Sequence, residues 1–320
     1  MTLRWIMFGL GLLASWPVAA TELTIATYNI ENYVAANRMI PAGYRKNYPK
    51  PEVAKAALRE VIQAVNADVL VMQEMGPKPY LDELQRDLAA QGLFYPHAVL
   101  LDAADADRHV AVLSRHAFSK VRQHTRLRFR YLDGEETVKR GLLEIGLQTP
   151  RGELTLWALH LKSRYTDNNA DPDSAQRRAK EAMAIREFIL DHLQDMGQGG
   201  YVILGDFNAG RSSAPLRYLR RRGKLTFAKL LPATDAHGEH WTYHYRRDDT
   251  YSRVDHILVS PDLMQIVKDG EARIHGGTSV RAASDHRPVK VTLLYGDNIP
   301  PQHAAQASQV SAATSPANKD

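Results

Sequence analysis

Residues 201–209 read YVILGDFNA, and residues 284–289 read SDHRPV. In the first stretch, four large nonpolar residues lead into Asp206 and Asn208, which predicts a short buried strand that ends in polar side chains. In the second, Asp285 and His286 stand just before an apolar run at 289–294, which predicts a further strand. Loops beside strands are where a rigid scaffold presents reactive groups. The two stretches therefore predict a sheet-based fold with its chemistry at the strand ends.

The same arrangement recurs along the chain, with polar side chains at the ends of other apolar strands. Strands are predicted at 23–30, 68–72, 153–161 and 254–259. Their ends carry Asn29 and Glu31, then Glu74, then His160 with Lys162 and Arg164, and finally Asp255. Six such groupings in one chain are hard to explain as ordinary solvated loops, so the sequence indicates one composite active site.

The remaining segments complete an α+β pattern. Helical spacing of apolar residues predicts helices at 53–66, 81–90 and 174–192, the last with Ser174 as its N-cap. A buried strand is predicted at 110–113, and Asp133-Gly134 predicts a hairpin with arms at 122–131 and 136–148. Hairpins mixed with helical crossovers favour two mixed β-sheets packed face to face with helices outside, a four-layered α/β sandwich formed by one domain over 21–296.

The two ends of the chain have different compositions from this domain. Residues 1–20 carry Arg4, an apolar run and small residues at 18–20, the pattern of a signal peptide cleaved after Ala20. We therefore expect an exported protein, periplasmic or secreted. Residues 297–320 hold almost no large apolar side chain, which predicts a disordered tail.

The composition limits the possible chemistry. The chain has no Cys, so any metal must be held by carboxylate, amide or imidazole groups. The net charge of +5 is compatible with an anionic substrate. Hydrolysis of a phosphate ester needs a divalent cation, a base for water and stabilisation of the leaving oxygen, and the strand-end residues supply the groups for all three.

The segments TYNIEN, QE, LHLKSR, GDFNA, RVDHI and SDHRPV, in this order, resemble the motif series of the endonuclease/exonuclease/phosphatase (DNase I-like) superfamily. The resemblance covers residues 23–295 and places this chain near secreted bacterial members. It implies a divalent-metal-dependent hydrolase of phosphate esters, with Mg²⁺ as the expected ion and Mn²⁺ or Ca²⁺ as alternatives.

The resemblance also implies roles for individual residues. Glu74 is the expected principal metal ligand, with Asn29, Glu31 and Asp285 near the ion. The expected catalytic group consists of His160, Asp206, Asn208, Asp255 and His286. Asp206 would orient or deprotonate the attacking water, Asn208 would bond a phosphate oxygen or position the nucleophile, and His286, held by Asp255, would contact the phosphate. His160 is the second catalytic histidine, for which Asp107 is a candidate partner. Lys162 and Arg164 either bind substrate phosphate or lie on a solvated loop.

The substrate is less clearly indicated than the reaction. A monomeric nuclease acting on DNA or RNA, whose mature chain does not insert stably into membranes, fits the export signal and the basic charge. A phospholipid or sphingomyelin phosphodiesterase, or a phosphatase of the same superfamily, is the alternative. A binding protein without catalytic activity is the alternative from another class, and the complete motif series argues against it.

Overall fold

The structure, a computed structural model, describes residues 21–40, 42–195 and 199–296. The predicted signal peptide at 1–20 and the predicted tail at 297–320 lie outside these residues. Among the helices that are described, none is long and apolar enough to cross a membrane.

Helices are interspersed among long runs of strands, the longest of which lie between α2 and α3 and between α4 and α5. The strands are β1 (Thr21–Tyr33), β2 (Ala36–Ile40), β3 (Gly43–Tyr48), β4 (Val69–Met75), β5 (His97–Leu100), β6 (His109–Ser114), β7 (Phe118–His124), β8 (Arg128–Tyr131), β9 (Gly134–Thr137), β10 (Leu142–Thr149), β11 (Gly152–His160), β12 (Tyr201–Asp206), β13 (Arg221–Arg222), β14 (Leu225–Thr226), β15 (Lys229–Leu230), β16 (Ala233–Thr234), β17 (Tyr243–Tyr245), β18 (Thr250–Ser252), β19 (Asp255–Val259), β20 (Ala272–Ile274) and β21 (Val289–Tyr295). The α-helices are α1 (Glu52–Val65), α2 (Lys78–Ala90), α3 (Ala175–His192), α4 (Ala214–Tyr218) and α5 (Thr278–Ala283), with short 3₁₀ turns at Leu193–Asp195, Pro261–Ile266 and Lys268–Gly270.

Two large mixed sheets organise the fold. The first has the order β16-β20-β21-β1-β4-β6-β5, and the second has the order β15-β19-β12-β11-β10-β7. β1 runs parallel to β4, and β11 runs parallel to β12. β21 is antiparallel to β1, and β19 is antiparallel to β12. Among the described residues, four further pairs of strands form short two-stranded ribbons: β2-β3, β8-β9, β13-β14 and β17-β18.

Three apolar clusters show how the layers pack. The inner cluster lies between the two sheets and joins side chains of both, such as Ile25 and Val71 with Leu156 and Leu204. A second cluster joins the outer face of the first sheet to α1, α2 and α5, and a third joins the outer face of the second sheet to α3 and α4. The order helix, sheet, sheet, helix confirms the predicted four-layered sandwich.

Two local predictions need correction. The hairpin at Asp133-Gly134 forms, but each long arm is divided: β8 and β9 pair with each other, whereas β7 and β10 pair within the second sheet. The division on the β10 side falls at Gly141, whose backbone φ of 65° is left-handed and turns the chain into the sheet.

The start of α3 also differs from the prediction. Ser174 stands at the N-cap position but has a φ of 49° and makes no side-chain capping bond. Instead the Asp171 carboxylate accepts hydrogen bonds from the backbone N–H groups of Gln176 and Arg177, at 3.1 and 3.0 Å. The helix is therefore capped by a carboxylate three residues earlier than predicted.

Candidate active site

The strand pairing explains why residues far apart in sequence meet at one edge of the sandwich. Parallel pairing brings the ends of β1 and β4 together, with Asn29 opposite Gln73, and likewise joins His160 of β11 to Asp206 of β12. The antiparallel strands β19 and β21 begin at the same edge, so that Asp255 lies opposite Asp206. The segment that precedes β21 carries Asp285 and His286.

Asp206 occupies the centre of this edge and is almost completely buried. Its Oδ2 accepts hydrogen bonds from the amide nitrogens of Asn29 at 3.0 Å and Asn208 at 3.2 Å. Its Oδ1 accepts a third bond from the backbone N–H of Asn208 at 2.8 Å. The residue before Asp206 must be glycine, because a Cβ at position 205 would stand 1.9 Å from the carbonyl oxygen of Leu159. The GDFN sequence thus fixes one carboxylate in one orientation.

Two histidines face the same oxygen of Asp206. His160 Nε2 lies 3.4 Å from Asp206 Oδ2, and His286 Nε2 lies 4.0 Å from it. The other ring nitrogen of His286, Nδ1, is 2.8 Å from Asp255 Oδ2. The backbone at Asp255 is fixed in turn, because the N–H groups of Val254 and Asp255 both donate to the Thr242 hydroxyl.

These contacts shift the ionisation of the three central groups in different directions. Burial raises the pKa of Asp206, and the nearby Asp255 carboxylate raises it further. Burial alone would lower the pKa of His286, but the Asp255 carboxylate outweighs it and raises that pKa well above 6.5. Burial, with the positive charge of Arg140, holds the pKa of His160 well below 6.5. The site therefore pairs a cationic imidazole with a neutral one.

Three carboxylates, Glu31, Glu74 and Asp285, form the acidic side of the site. Burial raises the pKa of Asp285, and the charges of Glu31 and Glu74 raise it further, so the three groups share one region of negative potential. Glu74 Oε2 accepts the backbone N–H of Asn32 at 2.9 Å. The amide oxygen of Asn29 accepts the N–H of Glu31 at 3.0 Å.

The tightest grouping of possible ligands is not the predicted one. Within the described residues, Asp206, Asp255 and His286 bring one ligand atom each within 4.8 Å of one another. The predicted ligands Glu31, Glu74 and Asp285 are more widely spaced. However, His286 Nδ1 and Asp255 Oδ2 already bind each other. A hard cation favours the oxygen donors of the acidic side.

The structure does not form the predicted pair between His160 and Asp107. The Nδ1 atom of His160 is buried and has no hydrogen-bond partner among the described residues. The Asp107 backbone N–H donates to Asp105, and Asp105 pairs with the buried Arg140 at 3.0 Å. The positive charge of Arg140 acts on His160, and its guanidinium donates to the carbonyl oxygen of the neighbouring Leu161 at 3.2 Å.

The two basic candidates differ in position. Lys162 Nζ donates to carbonyl oxygens of its own loop, those of Ser163 at 3.2 Å and Tyr165. Burial and the neighbouring charge of Arg140 lower the pKa of Lys162 to about 8. Arg164 is exposed on the same loop. Among the described residues, no contact holds the Arg164 guanidinium inside the loop, whereas the carbonyl oxygens of Ser163 and Tyr165 hold the Lys162 ammonium there.

Sequence reasoning missed two parts of the site. Asn32 bonds Glu74 through its backbone, and its side-chain Oδ1 accepts from Arg108 Nε at 2.8 Å. The ribbon β17-β18 brings the Tyr243 ring within 4.7 Å of the His286 ring. The alternating aromatics of WTYHY at 241–245, followed by the polar turn RRDD, were the signal available for the ribbon.

The chain matches the Endonuclease/Exonuclease/phosphatase family over residues 26–286, and it belongs to that family. Members of this superfamily are phosphoric ester hydrolases that generally depend on a divalent metal. No curated protein matches the sequence at a significant level.

Several solved structures share the fold. A family protein from Bacteroides thetaiotaomicron has a TM-score of 0.59 at 19% identity, covering 87% of this chain and 99% of that one. Sphingomyelinase C from Streptomyces griseocarneus has a TM-score of 0.58 at 17% identity, covering 85% and 99%. Truncated TDP2 from Caenorhabditis elegans has a TM-score of 0.54 at 15% identity, covering 85% and 97%. At these identities the likeness concerns the fold alone.

Proposed function

We propose that the protein is an exported, divalent-metal-dependent nuclease that hydrolyses phosphodiester bonds in DNA or RNA. The observation that carries the proposal is the buried Asp206 carboxylate, which faces His160 and His286 with a single oxygen. A base held between two imidazoles of different charge suits the transfer of a proton from water beside a phosphate. The net charge of +5 supports a polyanionic substrate.

The oxygen donors on the acidic side of the site fit a hard divalent cation. Asn29, Glu31, Glu74 and Asp285 would hold the ion, and Mg²⁺, Mn²⁺ and Ca²⁺ all accept such ligands. When bound, the ion supplies neutralisation of the phosphate oxygens and of the leaving oxygen. The negative charges of Glu31 and Glu74 raise the pKa of the buried Asp285, and a bound cation would offset this repulsion.

The chain's own residues account for the proton transfers. Asp206 accepts a proton from the attacking water, and its raised pKa makes it a stronger base than an ordinary carboxylate. The Asn29 and Asn208 amides keep its oxygens aimed at one place. His286, cationic because of Asp255, donates to a phosphate oxygen on which negative charge develops. His160 contributes a neutral imidazole and thus a hydrogen bond without a second cation.

The domain boundaries and the state of the protein are parts of the same proposal. We propose that residues 1–20 are removed on export, that 21–296 form the catalytic domain, and that the mature chain is a monomer without stable membrane insertion. N-terminal sequencing of the exported protein and light scattering of the purified chain test these points. A retained N-terminus would contradict cleavage, and the mass of a dimer would contradict the monomer.

The activity is tested with purified residues 21–320 on supercoiled plasmid, RNA, sphingomyelin and bis-p-nitrophenyl phosphate. Each substrate is tried with Mg²⁺, Mn²⁺ or Ca²⁺ and with EDTA. Metal-dependent cleavage of plasmid or RNA supports the proposal, and rapid cleavage of sphingomyelin with intact nucleic acid replaces it by the phospholipid alternative. Asp206→Asn is expected to abolish turnover. Asp191→Asn, an exposed carboxylate on α3, is the matched control.

A further inference from the structure

The aromatic ribbon β17-β18 is bonded directly to the segment that carries His286. The His244 N–H donates to the carbonyl oxygen of Asp285 at 2.9 Å, and the Arg287 N–H donates to that of Thr242 at 2.7 Å. Tyr243 and His286 form an antiparallel bridge between these bonds. The position of the ribbon is therefore fixed relative to the catalytic imidazole.

The two faces of the ribbon differ in what they contact. On one face, the His244 and Tyr251 rings stack at 4.3 Å, and Trp241 lies 4.9 Å from Tyr251. The Arg287 guanidinium covers Trp241 at 4.1 Å from the ring centre. These rings contact one another and Arg287, and Tyr251 at the edge of the group is 44% exposed.

The other face leads outward from the active site. Residues two apart on a strand share a face, so Tyr243 and Tyr245 point to the same side. The rings follow one another from His286 to Tyr243 at 4.7 Å and from Tyr243 to Tyr245 at 6.4 Å, with tilts of 40° and 30°. Tyr245 is 39% exposed. An aromatic ledge thus begins at the catalytic histidine and ends in solvent.

Charged side chains continue the ledge at the turn of the ribbon. The turn reads Arg246-Arg247-Asp248-Asp249, and the Arg247 side chain is 83% exposed. Arg246 Nη2 lies 3.5 Å from Glu31 Oε2, so it reaches back toward the acidic side of the site. A turn made of four charged residues is unsuited to insertion into a lipid bilayer. Basic side chains next to exposed aromatic rings favour a nucleic-acid strand.

We propose that Tyr243 and Tyr245 form a base-stacking subsite for the nucleotide next to the scissile phosphate, with Arg247 contacting the following phosphate. The inference rests on the proposed nuclease function and names the part of the substrate that this surface binds. Every nucleobase has a π face, so a stacking ledge accepts all four bases and gives binding without sequence preference. The ligand is therefore a single-stranded or frayed nucleic acid, recognised by its bases as well as by its backbone.

The test removes the ring and the base separately and together. Binding of fluorescein-labelled single-stranded DNA oligonucleotides is measured by anisotropy in EDTA, so that no turnover occurs. One oligonucleotide is intact, and a second carries abasic sites throughout. Wild type is expected to prefer the intact strand by about tenfold or more, the range typical of one stacked base. In Tyr245→Ala this preference is expected to fall to about twofold, while binding of the abasic strand changes much less.

The control variant is Phe94→Ala, which removes an exposed ring just before β5. The start of β5 pairs with Ser114, at the end of the sheet opposite to the active site. This variant is expected to keep the full preference for the intact strand. Tyr245→Phe is expected to keep it as well, because stacking needs the ring and not the hydroxyl.

The outcomes separate the subsite from the activity. If wild type cleaves nucleic acid but Tyr245→Ala keeps the tenfold preference, the subsite is wrong and the nuclease function stands. If wild type cleaves no nucleic acid, the proposed function fails even where base-dependent binding is present. If Tyr245→Ala instead loses binding to sphingomyelin vesicles and not to oligonucleotides, the ribbon is a lipid-binding element and the inference is overturned.

Discussion

Replacement of Asn32 by alanine is expected to weaken metal binding although Asn32 is not itself an expected ligand. Asn32 has a φ of 49°, in the left-handed region that asparagine tolerates far better than alanine. Its backbone N–H holds Glu74 Oε2, and its side chain accepts a bond from Arg108. In the variant, the backbone that positions Glu74 loses both its conformational preference and its anchor.

The magnitude follows from these two contributions. The left-handed conformation costs a residue such as alanine about 1 kcal/mol. A hydrogen bond to a charged group contributes about 1.5 kcal/mol or more, which we discount because Arg108 is partly exposed. The total of about 2 kcal/mol corresponds to a loss of about 30-fold in affinity. This lies within the range of about 10- to 100-fold that residues behind metal ligands typically contribute.

The assay is calorimetric titration of Mn²⁺ and Mg²⁺ into the metal-free protein. Asn32→Gly separates the two contributions, since glycine keeps the left-handed backbone and loses only the side-chain bond. It is expected to lose about 5-fold in affinity. Asn66→Ala is the matched control, because Asn66 also has a left-handed φ, 47°, and its Oδ1 accepts from Arg115, but it precedes β4 at the opposite end from Glu74.

Both alanine variants are expected to lose similar unfolding free energy, while only Asn32→Ala loses metal affinity. If Asn32→Ala binds the ions as wild type does while its stability falls like that of Asn66→Ala, the proposed support of Glu74 is refuted. An equal loss of affinity in both variants would refute it too, since a global effect would then suffice.

Three further predictions concern catalysis, metal and pH. His160→Ala and His286→Ala are each expected to lower kcat by orders of magnitude while circular dichroism stays native; a near-normal kcat in either removes that histidine from the mechanism. Glu74→Ala is expected to raise the metal concentration needed for half-maximal activity, and an unchanged requirement would show that the ion lies elsewhere. Burial alone would raise the pKa of Asp235, but the ion pair with Arg287 and the backbone N–H groups of Glu239 and His237 outweigh burial and lower that pKa from 3.8 to about 2. These contacts together contribute about 2 kcal/mol of stability above pH 4, which is lost as the pH falls from 4 to 2. Urea unfolding of wild type and Asp235→Asn is expected to show a difference at pH 7 that shrinks below pH 4, and a constant difference would contradict the assignment.

The sequence was sufficient for the elements that bury whole faces. β12 and β6 are runs of buried apolar residues, and α1 repeats apolar residues at helical spacing, so local pattern and tertiary packing agree. The ends of these strands could also be located, because the apolar runs give way to polar residues there. The order of the motifs identified the family. It also predicted that Asn29 and Asp206, which are 177 residues apart, belong to one site.

Some of the elements that the sequence did not predict are too short for periodicity to register, whereas β2 and β3, with five and six residues, form an exposed ribbon without a buried apolar face. β17 and β18 have three residues each, and their position is set by bonds to the His286 segment that no local pattern encodes. The capping of α3 by Asp171 depended on the unforeseen left-handed conformation of Ser174. The environment of His160 depended on Arg140, which arrives from the turn before β10.

The distribution of burial explains why reaction and substrate are specified by different parts of the molecule. Asp206, Asp255 and His286 are at most 5% exposed, and Asp206 and Asp255 lie on paired strands of the second sheet. Tyr245 and Arg247 stand on a ribbon whose described backbone contacts with the rest of the domain are one antiparallel bridge and two hydrogen bonds, to which Arg246 adds side-chain contacts with Glu31 and Arg281. If the proposed function and subsite hold, we expect substitutions on the ribbon to alter which ester is bound and substitutions at the strand ends to alter whether any ester is cleaved. A family built on this frame can change substrate without rebuilding the machinery that hydrolyses it.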